Sequence, residues 1–486
     1  MKTRTGVFAW ALLAGFGLSG CMVGPDYKQP EVTLSPFHNQ LAKANQSQSN
    51  SAELSTWWKN FNDPVLVDIV NRVTAQNLDL AASIARVEQA RAVANAAGAD
   101  LYPTVDFDGS ASKQRQSLQS PLGSLGRNLP GYKRNQKELT AGLTASWEVD
   151  LAGGLRRGSA AARADYEAAE ASHLGTRVTV VAEAADAYMQ IRGYQARLAV
   201  AADQISTDER LLKLVNFRRS VGDVTGRDVA QAEALLSQAR STVPTLRIGL
   251  EAQLNRLDVL MGSQPGSSAQ QLSKNSTIPD SPSVKDSLAP ADVLRRRPDI
   301  IAAERKLAAS NERIGAAISD YYPKVSLSGA LGFDSISGNR MFTSRSFQPS
   351  ITGLVRWRLF DFGKIDAEVA QAKGENAEAL ALYRQSVLKA AEDVENSLVS
   401  LSQTQERQDE LAQEVAALTR ARDLSERAYK AGATPLTDVL DANKELLVAR
   451  DGLNSTQADS ARAAVSLFRA MGGGWDSPAP TQTSQR

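Results

Sequence analysis

Cys21 is the only cysteine among 486 residues, and the residues before it say what its thiol is for. Lys2 and Arg4 give a basic start, residues 6–18 (GVFAWALLAGFGL) form a short apolar run, and Leu18-Ser19-Gly20 lead into the cysteine. A basic opening, an apolar stretch of that length and small residues at its end describe an export signal, not a spanning helix. A cysteine at that junction is the acceptor of a diacylglycerol group. Residues 1–20 therefore read as a removed signal peptide, and Cys21 as the lipidated first residue of the mature chain. Met22, where an aspartate would favour retention, fits release to the outer membrane. The competing reading is an ordinary signal peptide with a chance cysteine.

Little else in the chain points to catalysis. Two histidines, His38 and His173, are too few for a zinc or copper site, so no metal and no cofactor are expected. The sequence GGLRRG at 153–158 lacks the Lys-Ser or Lys-Thr ending of a phosphate loop, and no serine or cysteine has a plausible histidine partner. An enzyme is the weakest hypothesis, and no catalytic residue is assigned. Charge nearly cancels, with Lys+Arg 55 against Asp+Glu 54, which argues against nucleic acid as a partner. Arg218-Arg219 and the run 295–297 read as solvated helix surface.

The elements that carry these residues are long helices and short strands. Aromatic residues make up only 6% of the chain, while Ala, Gln, Leu, Arg and Glu dominate long stretches. Beyond the signal no apolar run reaches the ~18 residues of a spanning helix. Residues 139–149 alternate, with Leu139, Ala141, Leu143, Ala145, Trp147 and Val149 on one face and polar residues on the other. Similar alternation marks 105–109, 325–333 and 351–359, giving two hairpins with polar loops at 112–138 and 334–350 and with Trp147 and Trp357 placed for an aromatic girdle. Helical steps of three and four run through Val178, Val181, Ala185 and Tyr188, through Ala202, Ile205, Glu209, Leu212 and Val215, and through Leu380, Tyr383, Val387, Ala391, Val394, Leu398 and Leu401. The uninterrupted stretches 159–219 and 365–430 are each about 60 residues, or roughly 90 Å of helix.

An internal repeat orders the whole. LYPTV at 101–105 recurs as YYPKV at 321–325, and Trp147 recurs as Trp357. VGDVTGRDVAQAE at 221–233 aligns without gaps to AGATPLTDVLDAN at 431–443, matching Gly222 with Gly432 and Asp228 with Asp438. The expected division is a signal peptide (1–20), the lipid anchor with an N-terminal arm and first helices (21–100), a first β-hairpin (101–150) and a first long helix pair (151–262). A connector (263–290) leads to the second half's first helix (291–320), a second β-hairpin (321–360), a second long helix pair (361–472) and a C-terminal tail (473–486). Strands in a bilayer must close into a barrel, and single-chain barrels need at least about eight. Four cannot close alone, so the chain must oligomerise; a dimer of eight strands and a trimer of twelve both satisfy the pattern.

The run LRRRPDIIAAERKLAASNERIGAAISDYYPKVSLSG from 294, CMVGPDYKQP from 21, SWEVDLAG from 146, FDFGK from 360 and MGGGW from 471 closely resemble the outer membrane factors of resistance-nodulation-division efflux systems, over essentially the whole mature chain. That TolC-like family implies a mainly α protomer with a transmembrane β-barrel. Each protomer would give four strands to a trimeric 12-stranded barrel joined to a long periplasmic α-helical tunnel. It also implies a homotrimer, a periplasmic adaptor, an inner-membrane resistance-nodulation-division pump, and an outer-membrane, lipid-anchored location with passive export through the duct. By motif, the channel gate falls on Asp438 and Asp441, and a gate latch on Tyr429 with Asp228. Rings of carboxylates in a narrow pore repel anions and bind cations. Acids in a helix's first turn also complement its dipole, and Tyr429 has interhelical packing as its plainer role. The family's arginine two residues past the turn glycine is Thr434 here, while Arg227 precedes Asp228, which leaves the latch open to rewiring. Rival readings are the duct of a type I secretion or metal export system, whose soft-metal relay six methionines do not supply, and a periplasmic adaptor lipoprotein.

Overall fold

The computed structural model describes residues 22–31, 35–39, 54–273, 277–282 and 295–476. The expected signal peptide, Cys21, part of the connector and most of the C-terminal tail lie outside the described residues. A short 3-10 helix, Trp57–Phe61, is followed by α1 (Pro64–Gln76), α2 (Leu78–Ala99), β1 (Thr104–Arg115), α3 (Pro121–Gly126) and β2 (Asn135–Val149). Then come α4 (Gly154–Ser220), α5 (Gly226–Leu260), α6 (Ala269–Leu272), α7 (Pro298–Ser319), β3 (Lys324–Ser335), β4 (Phe347–Arg356), α8 (Lys364–Lys430) and α9 (Leu436–Ala470).

The duplication read from motifs is a duplication of elements. α2 and α7 each have 22 residues, α4 and α8 each 67, and α5 and α9 each 35. Even the indoles repeat: Trp147 Nε1 donates to the Leu101 carbonyl at 3.0 Å and Trp357 Nε1 to the Tyr321 carbonyl at 2.9 Å. Each indole ties the end of a hairpin to the chain entering it, and leaves the ring half-exposed at the edge of the apolar face, as an interfacial aromatic requires.

The strands form one antiparallel sheet in the order β1-β2-β3-β4, so the two hairpins join through a β2–β3 pairing between the halves. Directly paired residues point to the same side. The register places Val105 against Ala145, Phe107 against Leu143 and Ala141 against Phe333; Leu143 also meets Leu331, and Gly329 meets Ile351. One face is therefore apolar over the central part of all four strands, with Lys113 against Lys137 and Arg115 against Asn135 only toward the far end of β1 and β2. The other carries Asp106 against Thr144, Ser110 against Thr140 and Ser328 against Thr352. Among the described residues no second layer covers either face: every residue of β1 and of β4 is exposed, and in β2 and β3 only Ser335 is buried. The strands run past the limits read from sequence, to Arg115 and from Asn135, and α3 occupies the loop between them, its helix capped by the Ser120 side chain on Gly123 N–H. β4 stops at Arg356, before Trp357.

The chain divides into two compact units, one drawn from 1–30, 88–168 and 304–382, the other from 31–87, 169–303 and 383–486. The sheet belongs to the first. The second contains an apolar core built on Trp57, Leu66, Ile69, Val181, Ala185, Tyr188, Leu257, Ala464 and Phe468, with Trp57 stacked on Phe468 at 5.3 Å between ring centroids. Asp63 begins α1 by accepting from Val65 N–H at 2.8 Å, and its other oxygen takes the Tyr188 hydroxyl at 2.5 Å. One aspartate thus starts a helix and fixes it to α4. Among the described residues no helix is long and apolar enough to cross a membrane.

Two readings of surface and seam are corrected by the structure. Along the later part of α4 the buried stripe is Ala201, Gln204, Asp208, Leu211 and Val215; Val215 is buried as expected, but the others lie one position away from Ala202, Ile205, Glu209 and Leu212. Apolar content points to the wrong stripe because Gln204 Nε2 donates to Asp208 Oδ1 at 2.8 Å, which lets two polar side chains be buried side by side even though Asp208 Oδ2 has no partner. In the run 295–297, Arg297 is not solvated surface. Its guanidinium donates to Asp299 and Asp393, both at 2.8 Å through Nη2, and to the carbonyls of Ala390 and Ala470, joining α7, α8 and the end of α9. A fork with five donors can serve that many acceptors at once; a lysine cannot.

Candidate functional site

The residues singled out for gating lie at two equivalent turns. α4 ends on Gly222 at φ +82° and α8 on Gly432 at φ +76°, the left-handed conformation that glycine adopts without steric cost. At both, two backbone bonds close the helix: Gly222 to Arg219 and Asp223 to Arg218, then Gly432 to Tyr429 and Ala433 to Ala428. Past the turn the halves diverge. Thr225 caps α5 in a reciprocal box, where Asp228 accepts from Thr225 N–H and from its hydroxyl, both at 2.7 Å. Those bonds hold the Asp228 carboxyl below the usual carboxylate range, the hydroxyl bond first.

At the matching position in the second half stands Pro435, which has no side chain to offer a cap. Asp438 therefore has no threonine opposite it; Thr437 Oγ1, at 3.5 Å, is at the limit of a hydrogen bond. Its carboxylate is exposed, and so is that of Asp441, three residues on. Glu445 continues the row, also exposed, at a spacing that puts all three on one side of α9. Leu436, Val439, Asn443 and Leu446 are buried on the other side. Glu445 was legible in the sequence as the residue four beyond Asp441, but carried no motif.

The structure does not bring Tyr429 to Asp228. Tyr429 is 3% exposed, its hydroxyl is buried without a hydrogen-bond partner, and the Asp228 carboxylate is taken by Thr225. What meets Tyr429 instead is Arg218, whose guanidinium lies 4.4 Å from the ring centroid. Arg218 is thus not merely solvated helix surface. It joins the last turn of α4 to the last turn of α8, and Val439, Leu436, Leu211 and Val215 pack around the tyrosine. Its neighbour Arg219 donates to the Val224 carbonyl at 3.1 Å, bracing the first turn. Of the two histidines, His173 sits 2.7 Å from Ser83 Oγ, and burial, with Arg177 nearby, lowers its pKa. The backbone N–H of His38 donates to Glu395 at 2.5 Å.

A sheet with one largely apolar, uncovered face, two unpaired edges and strands that lead within a few residues into 67-residue helices defines a class: the subunit of a membrane channel assembled from several chains. The outer membrane efflux protein model matches residues 69–263 and 289–473. The chain is 30% identical to "Nodulation protein T" of Rhizobium leguminosarum bv. trifolii, over 94% of this chain and 96% of that protein. It is 31% identical to "Pyoverdine export outer membrane protein OpmQ" of Pseudomonas aeruginosa, over 92% and 94%. Among solved structures, the outer-membrane channel OprN superposes with a TM-score of 0.84 at 32% identity, covering 94% of this chain and all of that one. The Campylobacter jejuni CmeC outer membrane channel shares the fold, with a TM-score of 0.84 at 23% identity over 93% and 95%. The chain belongs to the outer membrane efflux protein family, and it is an outer-membrane efflux channel.

Proposed function

We propose that three copies of this chain form the exit duct of a tripartite efflux pump, passing drugs and other small toxic molecules from a periplasmic adaptor and an inner-membrane resistance-nodulation-division pump to the exterior. The observation that carries this reading is the register of the sheet, which aligns Val105, Phe107, Leu143, Leu331, Phe333 and Ile351 and most other apolar positions of the four strands on one uncovered face. Lipid is the solvent that such a face requires, and edges β1 and β4 need partners from other copies because lipid offers backbone N–H and C=O groups none. Energy coupling belongs to the pump; the chain is a conduit and not a catalyst.

The export signal and Cys21 support a lipid-anchored subunit. The exposed acids of α9 support a gate: Asp438 and Asp441, repeated around a threefold axis, would form two carboxylate rings that favour cations. The missing cap at Pro435 is what leaves Asp438 free for that role. For the latch, the Arg218–Tyr429 contact stands where a Tyr429–Asp228 bond was expected. Light scattering of the detergent-solubilised assembly tests the stoichiometry. Three protomers per particle are expected; a stable monomer or dimer would contradict the duct.

A further inference from the structure

The first residues of the mature chain are strapped to the place where β2 hands over to α4. Val23 N–H donates to the Ala152 carbonyl at 3.1 Å, and Asn311 Nδ2 to the Pro25 carbonyl at 3.0 Å. The Tyr27 hydroxyl donates to Glu304. Gly24 at φ +91° runs so close to α7 that a Cβ would lie 2.5 Å from Gly315 Cα, and a Cβ on Gly153, at φ +79°, would lie 2.8 Å from Met22 Cα. Small residues on both sides let the strap lie flat against the protein.

At the centre of this contact is Arg157, whose side chain is 2% exposed. Its Nε donates to the Val23 carbonyl at 3.1 Å and its Nη2 to the Gly24 carbonyl at 3.3 Å and to Asp26 Oδ1 at 2.9 Å. Nη1 donates to Glu312 on α7 at 2.8 Å. Burying a guanidinium is costly unless its donors are used, and here they converge on three residues of one strap, Val23, Gly24 and Asp26, and on a carboxylate behind it. A fold that needed only to join α4 to α7 would have needed only Glu312.

We propose that Arg157 is a positioning residue for the lipid anchor: it clasps residues 23–26 so that an acyl chain on Cys21 enters the membrane at the foot of the barrel strands. The proposal rests on the lipid attachment at Cys21 put forward above. Only Met22 lies between Cys21 and the Val23 contact, a span of at most ~7 Å, while β2 ends at Val149 and α4 begins at Gly154. Acyl chain and lipid-facing strand ends then share one interface, and neither is free to be placed without the other.

The test uses the full-length protein, Arg157→Met and Asp26→Asn, each with and without the lipid; the unlipidated form carries Cys21→Ser behind an ordinary cleavable signal. Palmitate labelling, hydrogen exchange at Val23 and the yield of oligomer in the outer membrane are measured together. Labelling is expected wherever Cys21 remains. Arg157→Met should speed Val23 exchange at least tenfold and lower oligomer yield several-fold when the lipid is present, but by less than twofold when it is absent. Asp26→Asn, at a position 85% exposed, should give a smaller loss of the same pattern, which keeps the proposal testable if Arg157→Met does not fold. Unchanged Val23 exchange, or equal losses with and without lipid, would overturn it. An unlabelled parent would sink the anchor role at its premise, and Val23 exchange would still report separately on the strap.

Discussion

Tyr429 and Arg218 meet ring to guanidinium, and that contact makes different demands from a hydroxyl–carboxylate bond. A latch through Asp228 would need the hydroxyl; the contact found needs the ring and the cation. Tyr429→Phe is therefore expected to leave gating nearly unchanged, while Arg218→Ala loosens the closed state by about 0.5–2 kcal/mol, or roughly 2- to 30-fold in the open-to-closed ratio. Open probabilities of the two variants in single-channel records separate the alternatives. Asp208 is the other residue with a consequence of its own. It is 1% exposed, Oδ2 is buried without a partner, and burial, opposed by the Gln204 bond, pushes its carboxyl up to about 6. Between its unfolded value near 3.8 and about 6 the folded form keeps a proton that the unfolded chain releases, so stability falls as pH rises through that window and is flat above it. Asp208→Asn should raise stability at pH 7.5, by at most about 3 kcal/mol because the amide Nδ2 also lacks a partner, and flatten the profile between pH 4 and 7. Thermal melts of the assembly across that range check both the sign and the window.

At the scale of elements, what the sequence declared through backbone need was legible, and what it declared through partnership was not. Gly222 and Gly432 mark turns because only glycine tolerates their φ without strain, so the ends of α4 and α8 could be read from one residue each. Strict alternation from Leu139 to Val149 marked β2 because side chains on a strand have period two. The α4 stripe through Gln204 and Asp208 was missed since neither residue is apolar and their mutual bond is invisible in a list of letters. Arg157 and Arg297 were missed for the same reason: an arginine's burial depends on acceptors that come from distant segments. Pro435 could have been weighed from sequence alone, as the residue that denies Asp438 the cap Thr225 gives Asp228. Alanine at Gly222 or Gly432 meets nothing nearby, so its penalty is purely conformational, about 1–2 kcal/mol. Each should lower the melting temperature modestly and by a similar amount; a large difference between them would contradict the equivalence of the two turns.

For the whole assembly, the sheet's two faces set opposite rules. Leu143 belongs to the apolar face and Thr144 to the polar one, though they are neighbours. Leu143→Arg should cost about 2–4 kcal/mol per copy in a bilayer and sharply reduce folded oligomer, whereas Thr144→Arg should assemble and shift ion selectivity instead. Yield in outer-membrane fractions, with conductance of whatever assembles, tells them apart. The central claim is that this chain makes a pore whose narrowest point is ringed by acids of α9. Single-channel conductance in planar bilayers tests it most directly, comparing the parent with Asp438→Ala plus Asp441→Ala. A small cation-selective conductance in the parent that becomes larger or less selective in the double variant is the expected result. No conductance from correctly folded oligomer would contradict the channel, and an unchanged conductance in the variant would move the gate elsewhere.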